Sequence, residues 1–158
     1  MRGTPIWIWL SAWGPPVAWG ILIWQLGADG FSESETRGFL GPLIESLLPW
    51  LGSEQREALA WFVRKSAHPS VYALLALLSW RGVDQTLAVG RGARRLMVLA
   101  PVFGLALGDE ARQAFSTVRS GSLIDVLLDL GGGVLAVAAL EQLRSRKKRP
   151  LFGRREST

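Results

Sequence analysis

Long apolar runs alternate along the chain with shorter segments that carry most of its charge. Four runs reach the length of about 20 residues that a helix needs to cross a membrane, at residues 5–26, 58–80, 95–114 and 122–143. This pattern predicts an all-α fold, an integral membrane four-helix bundle. Tryptophans lie toward both ends of the first run, as expected where a span meets the two membrane interfaces.

The first run contains Gly14-Pro15-Pro16 at its middle. Proline has no backbone N–H to donate, so this helix should be kinked or broken there. A cleaved signal peptide is the alternative interpretation of the run. We favour a retained span, because the apolar stretch is long for a signal peptide and no Ala-x-Ala site follows it.

The sequence of the link between the first and second runs predicts one further helix. Ser32 and Glu35 have the spacing of a capping box. Apolar residues then recur on one helical face: Leu40, Leu43, Ile44, Leu47, Leu48 and Leu51. We predict an extracytoplasmic amphipathic helix between spans one and two, lying on the outer membrane surface or folded over the bundle.

Charge in the links predicts the orientation of the spans. The segment 81–95 carries four arginines against the single carboxylate of Asp84, whereas the link 28–57 is mainly acidic. Because Lys and Arg mark the cytoplasmic side, we expect a multi-pass protein of the inner (plasma) membrane with both termini in the cytoplasm. Residues 1–143 then form one membrane domain. Residues 144–158 form a basic cytoplasmic tail, which we expect to contact anionic lipid rather than nucleic acid.

The composition agrees with an integral membrane protein and excludes chemistry that requires cysteine. The chain has 158 residues, of which 49% are hydrophobic, and a formal net charge of +5. It has no cysteine, which excludes disulfides and thiolate chemistry.

Three of the predicted spans carry charged side chains, which cost about 2.5–3.5 kcal/mol each at the centre of a membrane helix and therefore mark candidate sites. A helix rises about 1.5 Å per residue, so His68, Asp109 and Asp129 all lie about 20–22 Å above the cytoplasmic arginines. They would form one layer in the outer half of the membrane. The predicted polar pocket contains Lys65, His68, Tyr72, Asp109, Glu110, Gln113, Arg119, Asp125 and Asp129.

Mutual pairing would lower the cost of burying these charges. Four cations balance four carboxylates, namely Arg64, Lys65, Arg112 and Arg119 against Asp109, Glu110, Asp125 and Asp129. Less specific roles stay open: Asp125 could complement the N-terminus of its helix, and Lys65 with His68 could belong to a structural ion-pair network.

Small residues predict where two spans approach each other closely. One stripe lies in span three and a second in span four: Ala100, Gly104 and Gly108, then Gly131, Gly132, Gly133 and Ala136. Such stripes let helix backbones approach in membranes, so we expect spans three and four to pack tightly there.

The side chains of the pocket limit its chemistry. His68 beside carboxylates could transfer protons near neutral pH, but the chain has no serine elbow and no convincing nucleophile. A metal site of His68 with Asp109, Glu110 and Asp129 has one imidazole and no cysteine, so we expect no metal and no cofactor. Arginine and lysine in an outer pocket suit a phosphate or a carboxylate. We expect a binding protein rather than an enzyme.

The same residues resemble motifs of the VanZ-like membrane protein family. Lys65, His68 and Tyr72 match a Lys-x-x-His-x-x-x-Tyr pattern, and Asp109, Glu110 and Gln113 match an Asp-Glu-x-x-Gln pattern. Arg119, Asp125 and Gly132 match an Arg followed by Asp-x-x-x-Asn-x-x-Gly, in which Asp129 replaces the Asn. The resemblance extends over about residues 6–140.

The family is named for a protein that raises resistance to the glycopeptide teicoplanin. The resemblance therefore implies glycopeptide tolerance and a pocket for a membrane lipid or a lipid-linked envelope component. A different interpretation is a small accessory or structural subunit of a larger membrane protein complex. A third is an intramembrane hydrolase that uses His68 and Glu110.

Overall fold

The computed structural model describes residues 5–27, 33–114 and 123–147. In these ranges the chain forms no strand and five helices: α1 (Ile6–Leu26), α2 (Glu33–Leu47), α3 (Ser53–Thr86), α4 (Arg91–Ala114) and α5 (Leu123–Lys147). The predicted all-α class is confirmed, and each predicted span corresponds to one helix. Ser32, Arg119 and the tail beyond residue 147 lie outside the described residues.

Two of the helices are long and apolar enough to cross a membrane, namely α1 and the segment Leu123–Arg146 of α5. α3 and α4 are less apolar, because they carry many of the charged and polar side chains of the predicted pocket. Membrane association is therefore supported by two helices rather than by four.

α3 is the central helix and contacts each of the other four. It has 34 residues and is therefore about 51 Å long. Its buried side chains recur at helical spacing and include Tyr72, Leu75, Ala76 and Val83. They form one hydrophobic core with valines of α4 and α5: Val98, Val102, Val126 and Val137.

α1 continues through Pro15 and Pro16, so the alternative of a broken helix is wrong. Pro15 cannot donate to the carbonyl of Ser11, which would be its partner four residues earlier. A guanidinium N–H of Arg81 on α3 donates to that carbonyl instead, at 2.9 Å. A donor from the neighbouring helix therefore satisfies the backbone group that the proline leaves open.

Two tryptophans of α1 also fix it to α3. The indole N–H of Trp19 donates to the backbone carbonyl of Val71 at 2.9 Å. The indole N–H of Trp13 donates to the hydroxyl of Thr86 at 3.1 Å. Together with Arg81, these bonds hold α1 along α3 at three separate heights.

The predicted amphipathic helix is confirmed as α2, which packs against α3. It buries a narrower face than the sequence indicated, because Ile44 is buried and Leu40 half-buried while Leu43 and Leu47 are exposed. Leu48 and Leu51 lie beyond the end of the helix. α2 is thus folded over the bundle.

The turn after α2 is fixed by Arg56 at the start of α3. Its guanidinium pairs with Glu45 of α2 at 2.6 Å and donates to the backbone carbonyl of Pro49 at 3.1 Å. These contacts tie the end of α2 to the first turn of α3.

The glycines of α5 permit close packing, but mainly against α3 rather than α4. A Cβ added at Gly132 would lie 2.1 Å from the backbone oxygen of Pro69 in α3. A Cβ added at Gly133 would lie 2.9 Å from the side chain of Val102 in α4. The backbones of α3 and α5 therefore approach each other at Gly132, where no larger residue fits.

The predicted packing of α4 against α5 through its small-residue stripe is wrong, although one member, Gly108, lies against Trp24 of α1, where an added Cβ would be 3.4 Å from the indole ring. Ala100 and Gly104 are exposed, and a Cβ at Gly104 would meet nothing within 4 Å. The buried face of α4 carries Val98, Val102 and Ala106 and continues into Asp109 and Gln113. Burying these two polar side chains within the protein favours a rotation of the helix that turns Ala100 and Gly104 outward.

Asp84, Arg94 and Arg144 form a cluster, the arginine cluster, that joins α3, α4 and α5 at one end of the bundle. Asp84 accepts hydrogen bonds from Arg144, one of them at 2.9 Å, and lies 3.3 Å from the guanidinium of Arg94. Both guanidinium groups lie 5.3 Å from the ring centroid of Trp80, within range of a cation–π interaction. The hydrogen bond from Arg144 lowers the pKa of the Asp84 carboxyl.

Candidate functional site at the polar end of the bundle

The described residues of the predicted pocket lie toward the end of the bundle opposite the arginine cluster. Lys65, His68 and Tyr72 occupy one face of α3, because they are spaced by three and four residues. α4 runs back along α3 and brings its last turns to this end, and α5 begins here. Three helices therefore direct their polar residues to one region.

Lys65 of α3 pairs with Asp125 in the first turn of α5. The Lys65 ammonium donates to a carboxylate oxygen of Asp125 at 2.5 Å. Both side chains are partly exposed. Asp125 thus contacts another helix in addition to lying at the N-terminus of its own, where a carboxylate is favourable.

His68 faces Asp129 one turn further into the bundle. Nδ1 of His68 lies 3.6 Å from Oδ1 of Asp129, a distance beyond normal hydrogen-bond range. Asp129 is only 2% exposed, and within residues 5–27, 33–114 and 123–147 its Oδ1 has no hydrogen-bond partner. The nearby contact of Gly132 with Pro69 brings these two side chains together.

Asp109 is the centre of a hydrogen-bonded group that joins α4 to α1. One carboxylate oxygen accepts from Arg112 at 2.7 Å, and the other accepts from the side-chain amide of Gln113 at 2.8 Å. Arg112 also donates to the backbone carbonyl of Trp24 at 2.8 Å and lies 4.4 Å from the Trp24 ring centroid. Gly27 permits this approach, because a Cβ there would lie 1.9 Å from the Asp109 carboxylate.

Tyr72 is the most deeply buried of the predicted residues, with 1% of its surface exposed. Its hydroxyl has no hydrogen-bond partner in the described part of the chain. It lies close enough to Asp129, Asp109 and Arg112 to interact with their charges. Buried polar groups are normally hydrogen-bonded, so an unpartnered hydroxyl in this position calls for an explanation.

A cavity of about 310 Å³ lies beside His68 and Tyr72. Its lining comes from four helices: Ile23, Leu26 and Gly27 from the α1 end, Leu40 from α2, Val63, Arg64, Ala67, His68, Val71 and Tyr72 from α3, and Asp109 from α4. The pocket predicted from sequence therefore differs from the observed cavity. Of the predicted residues, His68, Tyr72 and Asp109 line it, while Lys65, Gln113, Asp125 and Asp129 lie outside its lining.

Two other residues of the predicted pocket, Glu110 and Arg119, are not among the described lining residues of the cavity. Glu110 is buried beside Asp109 on α4 but does not line the cavity. Arg119 lies outside the described residues. Within the described part of the chain, no group of three or more His, Asp or Glu residues could hold a metal ion, so the alternative metal site is not supported.

The apolar lining of the cavity and the contacts of Arg112 go beyond what the sequence predicts. Ile23, Leu26 and Leu40 look like any membrane-facing or core residue in the sequence, so no signal marked them. The sequence indicates Arg112 only as one of four cations that balance four carboxylates. Its spacing of three residues from Asp109 could have identified it as the partner that holds this carboxylate.

The cavity lining is mainly apolar, and its few polar side chains come from α3 and α4. Such a cavity suits a molecule with an apolar part and a small polar part. Comparison of the chain with family models, with curated proteins and with solved structures gives no match.

Proposed function

We propose that the chain is a multi-pass protein of the cell envelope whose polar pocket binds a lipid or a lipid-linked envelope component. One observation carries this proposal: polar residues from α3, α4 and α5 meet beside a mainly apolar cavity to which α1 and α2 contribute apolar side chains. The resemblance of these residues to the VanZ-like family supports the same function, with tolerance of teicoplanin as its expected cellular effect.

The proposal includes four membrane spans formed by α1, α3, α4 and α5, with the polar end outside and the arginine cluster in the cytoplasm. Mutual pairing supports the burial of charge in α3 and α4. Lys65 pairs with Asp125 and Arg112 with Asp109, so few of the described charges need to face lipid. The four basic side chains of residues 81–95 support a cytoplasmic position for the opposite end.

The cavity volume limits what the pocket can hold. Ligand sites of small molecules measure roughly 300–1,000 Å³, and this cavity, at about 310 Å³, lies at the lower bound. It accommodates one chain with a small head group and not a whole glycopeptide. A tolerance effect would therefore act through an envelope component rather than through capture of the antibiotic.

Teicoplanin susceptibility tests this function in cells. We expect cells that carry the gene to grow at higher teicoplanin concentrations than cells without it, and the His68→Ala and Glu110→Ala variants to lose the difference. Ser70→Ala is a matched control, because Ser70 is an exposed residue of α3 whose hydroxyl donates only to its own helix. Equal susceptibility of all strains, at equal protein levels in the membrane, contradicts a role in tolerance.

A second candidate function is that of a small accessory subunit. The observation that favours it is the pairing of the polar residues with one another, which would make the polar layer an internal connection between helices. Gentle detergent extraction separates the two proposals. A stoichiometric partner that survives both Lys65→Ala and Glu110→Ala favours the subunit, and a monomer without partner favours the pocket.

A further inference from the structure

One side of α2 carries an apolar stripe that the described part of the chain leaves exposed. Phe39, Leu43 and Leu47 are spaced by four residues and therefore share one side of the helix. They are 72%, 42% and 64% exposed, whereas Leu40 and Ile44 face the bundle. α2 thus has apolar side chains in two directions, and packing within the protein uses only one of them. We call the exposed set, Phe39, Leu43 and Leu47, the α2 stripe.

The opposite side of α2 is polar. Gly38, Gly41 and Glu45 share it, because they are spaced by three and four residues. A Cβ added at Gly38 or Gly41 would meet nothing within 4 Å. Glu45 pairs at 2.6 Å with Arg56, which lies in the first turn of α3. The polar side of α2 is therefore turned toward the start of α3, and the α2 stripe is turned away from it.

The contacts of α2 with α3 give its depth in the proposed membrane orientation. A helix rises about 1.5 Å per residue, so Val63 and His68 stand about 27 Å and 20 Å above Arg81, where the basic segment 81–95 begins. Leu40 lines the same cavity as Val63 and His68. Both heights fall within a hydrocarbon layer about 30 Å thick. The Leu40 end of α2 therefore lies beside the outer half of this layer rather than above it.

The first turns of α3 mark the outer boundary of the same layer. Trp61 and Phe62 are exposed and stand about 30 Å above Arg81. Arg56 stands about 38 Å above Arg81, which is outside the layer. Exposed aromatic side chains at the boundary, with a charged side chain beyond it, are typical of a membrane interface.

We propose that the α2 stripe is a membrane-docking surface, with Phe39 and Leu43 in the hydrocarbon of the outer leaflet and the polar side of α2 toward water. The inference rests on the proposed function, because the four spans set the depth of α3. It adds that α2 is immersed in lipid along one side, as an interfacial amphipathic helix is. The partner is the lipid bilayer, because hydrocarbon is what surrounds the protein at the depth of Leu40.

Nitroxide labels on single cysteines test this placement, because the chain has no cysteine of its own. The full chain with Phe39→Cys or Leu43→Cys is placed in nanodiscs of phosphatidylethanolamine and phosphatidylglycerol. Power saturation then compares accessibility to oxygen, which concentrates in lipid, with accessibility to a nickel chelate, which stays in water. We expect the oxygen-to-nickel ratio to be several-fold higher at Phe39 and Leu43 than at Gly38.

Gly38→Cys is the matched control for the face of α2. Gly38 is exposed and directly precedes Phe39, so the two positions differ by only about 1.5 Å along the helix axis. Leu135→Cys is the reference for a span. Leu135 is exposed on α5 and stands about 14 Å above Arg144, near the middle of the layer.

The outcomes separate this inference from the proposed function. A high ratio at Leu135 with equally low ratios at Gly38, Phe39 and Leu43 overturns the docking surface and leaves the spans in place. A low ratio at Leu135 as well overturns the proposed membrane fold. Low accessibility to both reagents at Phe39 and Leu43 means that a second copy of the chain covers the stripe, which overturns lipid as its partner.

Discussion

Asp109 and Asp129 are both buried carboxylates, but their surroundings differ. Asp109 accepts hydrogen bonds from Arg112 and Gln113 on its two oxygens. Asp129 lies 3.6 Å from His68, beyond normal hydrogen-bond range, and its Oδ1 has no hydrogen-bond partner among the described residues. A buried charge contributes to stability only when its partners offset the loss of water. Among the carboxylates, the fold should therefore depend on Asp109 more than on Asp129.

Replacing each carboxylate by its amide tests this difference. We expect Asp109→Asn to lower the free energy of unfolding by about 1–3 kcal/mol, because Arg112 loses a charged acceptor. Asp129→Asn should leave it unchanged or raise it, because a poorly partnered charge is removed. Thermal unfolding of the purified variants in detergent gives both values. A larger loss for Asp129→Asn would mean that its pairing with His68 stabilises the fold.

At the scale of helices, the contact of α5 with α3 sets the geometry of the polar end. Gly132 lies one turn after Asp129 in α5 and packs against the backbone carbonyl of Pro69 in α3. Pro69 directly follows His68. Its neighbour Gly131 faces open space, since a Cβ there would meet nothing within 4 Å. The two adjacent glycines thus differ: Gly132 permits close helix packing, whereas a side chain at Gly131 would have room.

Alanine substitution at the two positions provides a matched pair. We expect Gly132→Ala to destabilise the protein by about 1–3 kcal/mol, because the new methyl group overlaps backbone that cannot move aside. Gly131→Ala should be neutral or stabilising by up to about 1 kcal/mol, because alanine favours the helix. Unfolding midpoints in one detergent compare them. Equal midpoints for both variants would contradict the close approach of α3 and α5.

Sequence could predict the helices but not their rotation. Apolar runs and the arginines between them indicated α1, α3, α4 and α5, and the leucines of the link indicated α2. The sequence places Ala100 and Gly104 as well as Asp109 and Gln113 on the inside of the bundle, and only the latter two are buried. Small residues permit close packing but do not require it, whereas Asp109 and Gln113 must be buried away from lipid.

On the scale of the whole molecule, charge is concentrated at two levels of the bundle. Lys65, Asp125 and Asp109 belong to the polar end, while Asp84 and Arg144 belong to the arginine cluster. The meeting of polar residues was predictable from helical rise, because charges at similar depths on adjacent helices tend to pair. The apolar lining of the cavity was not, because side chains that face lipid and side chains that face a cavity have the same composition.

Cysteine labelling tests the proposed orientation, because the chain has no cysteine of its own. Ser46 near the end of α2 and Ser145 near the end of α5 are both exposed. We expect the Ser46→Cys variant to react with a membrane-impermeant maleimide in spheroplasts. The Ser145→Cys variant should react only after the membrane is opened. Labelling in the reverse order would place the polar pocket in the cytoplasm.

The bond from Arg81 to the Ser11 carbonyl has a consequence at the far end of α1. Gly27 follows Ser11 by sixteen residues, so the length of α1 between this bond and Gly27 is about 24 Å. One inserted residue would shift the C-terminal end of α1 by about 1.5 Å along its axis and rotate it by about 100°, which carries Gly27 away from Asp109. An insertion between these points should therefore reshape the cavity although no side chain in its lining has been replaced.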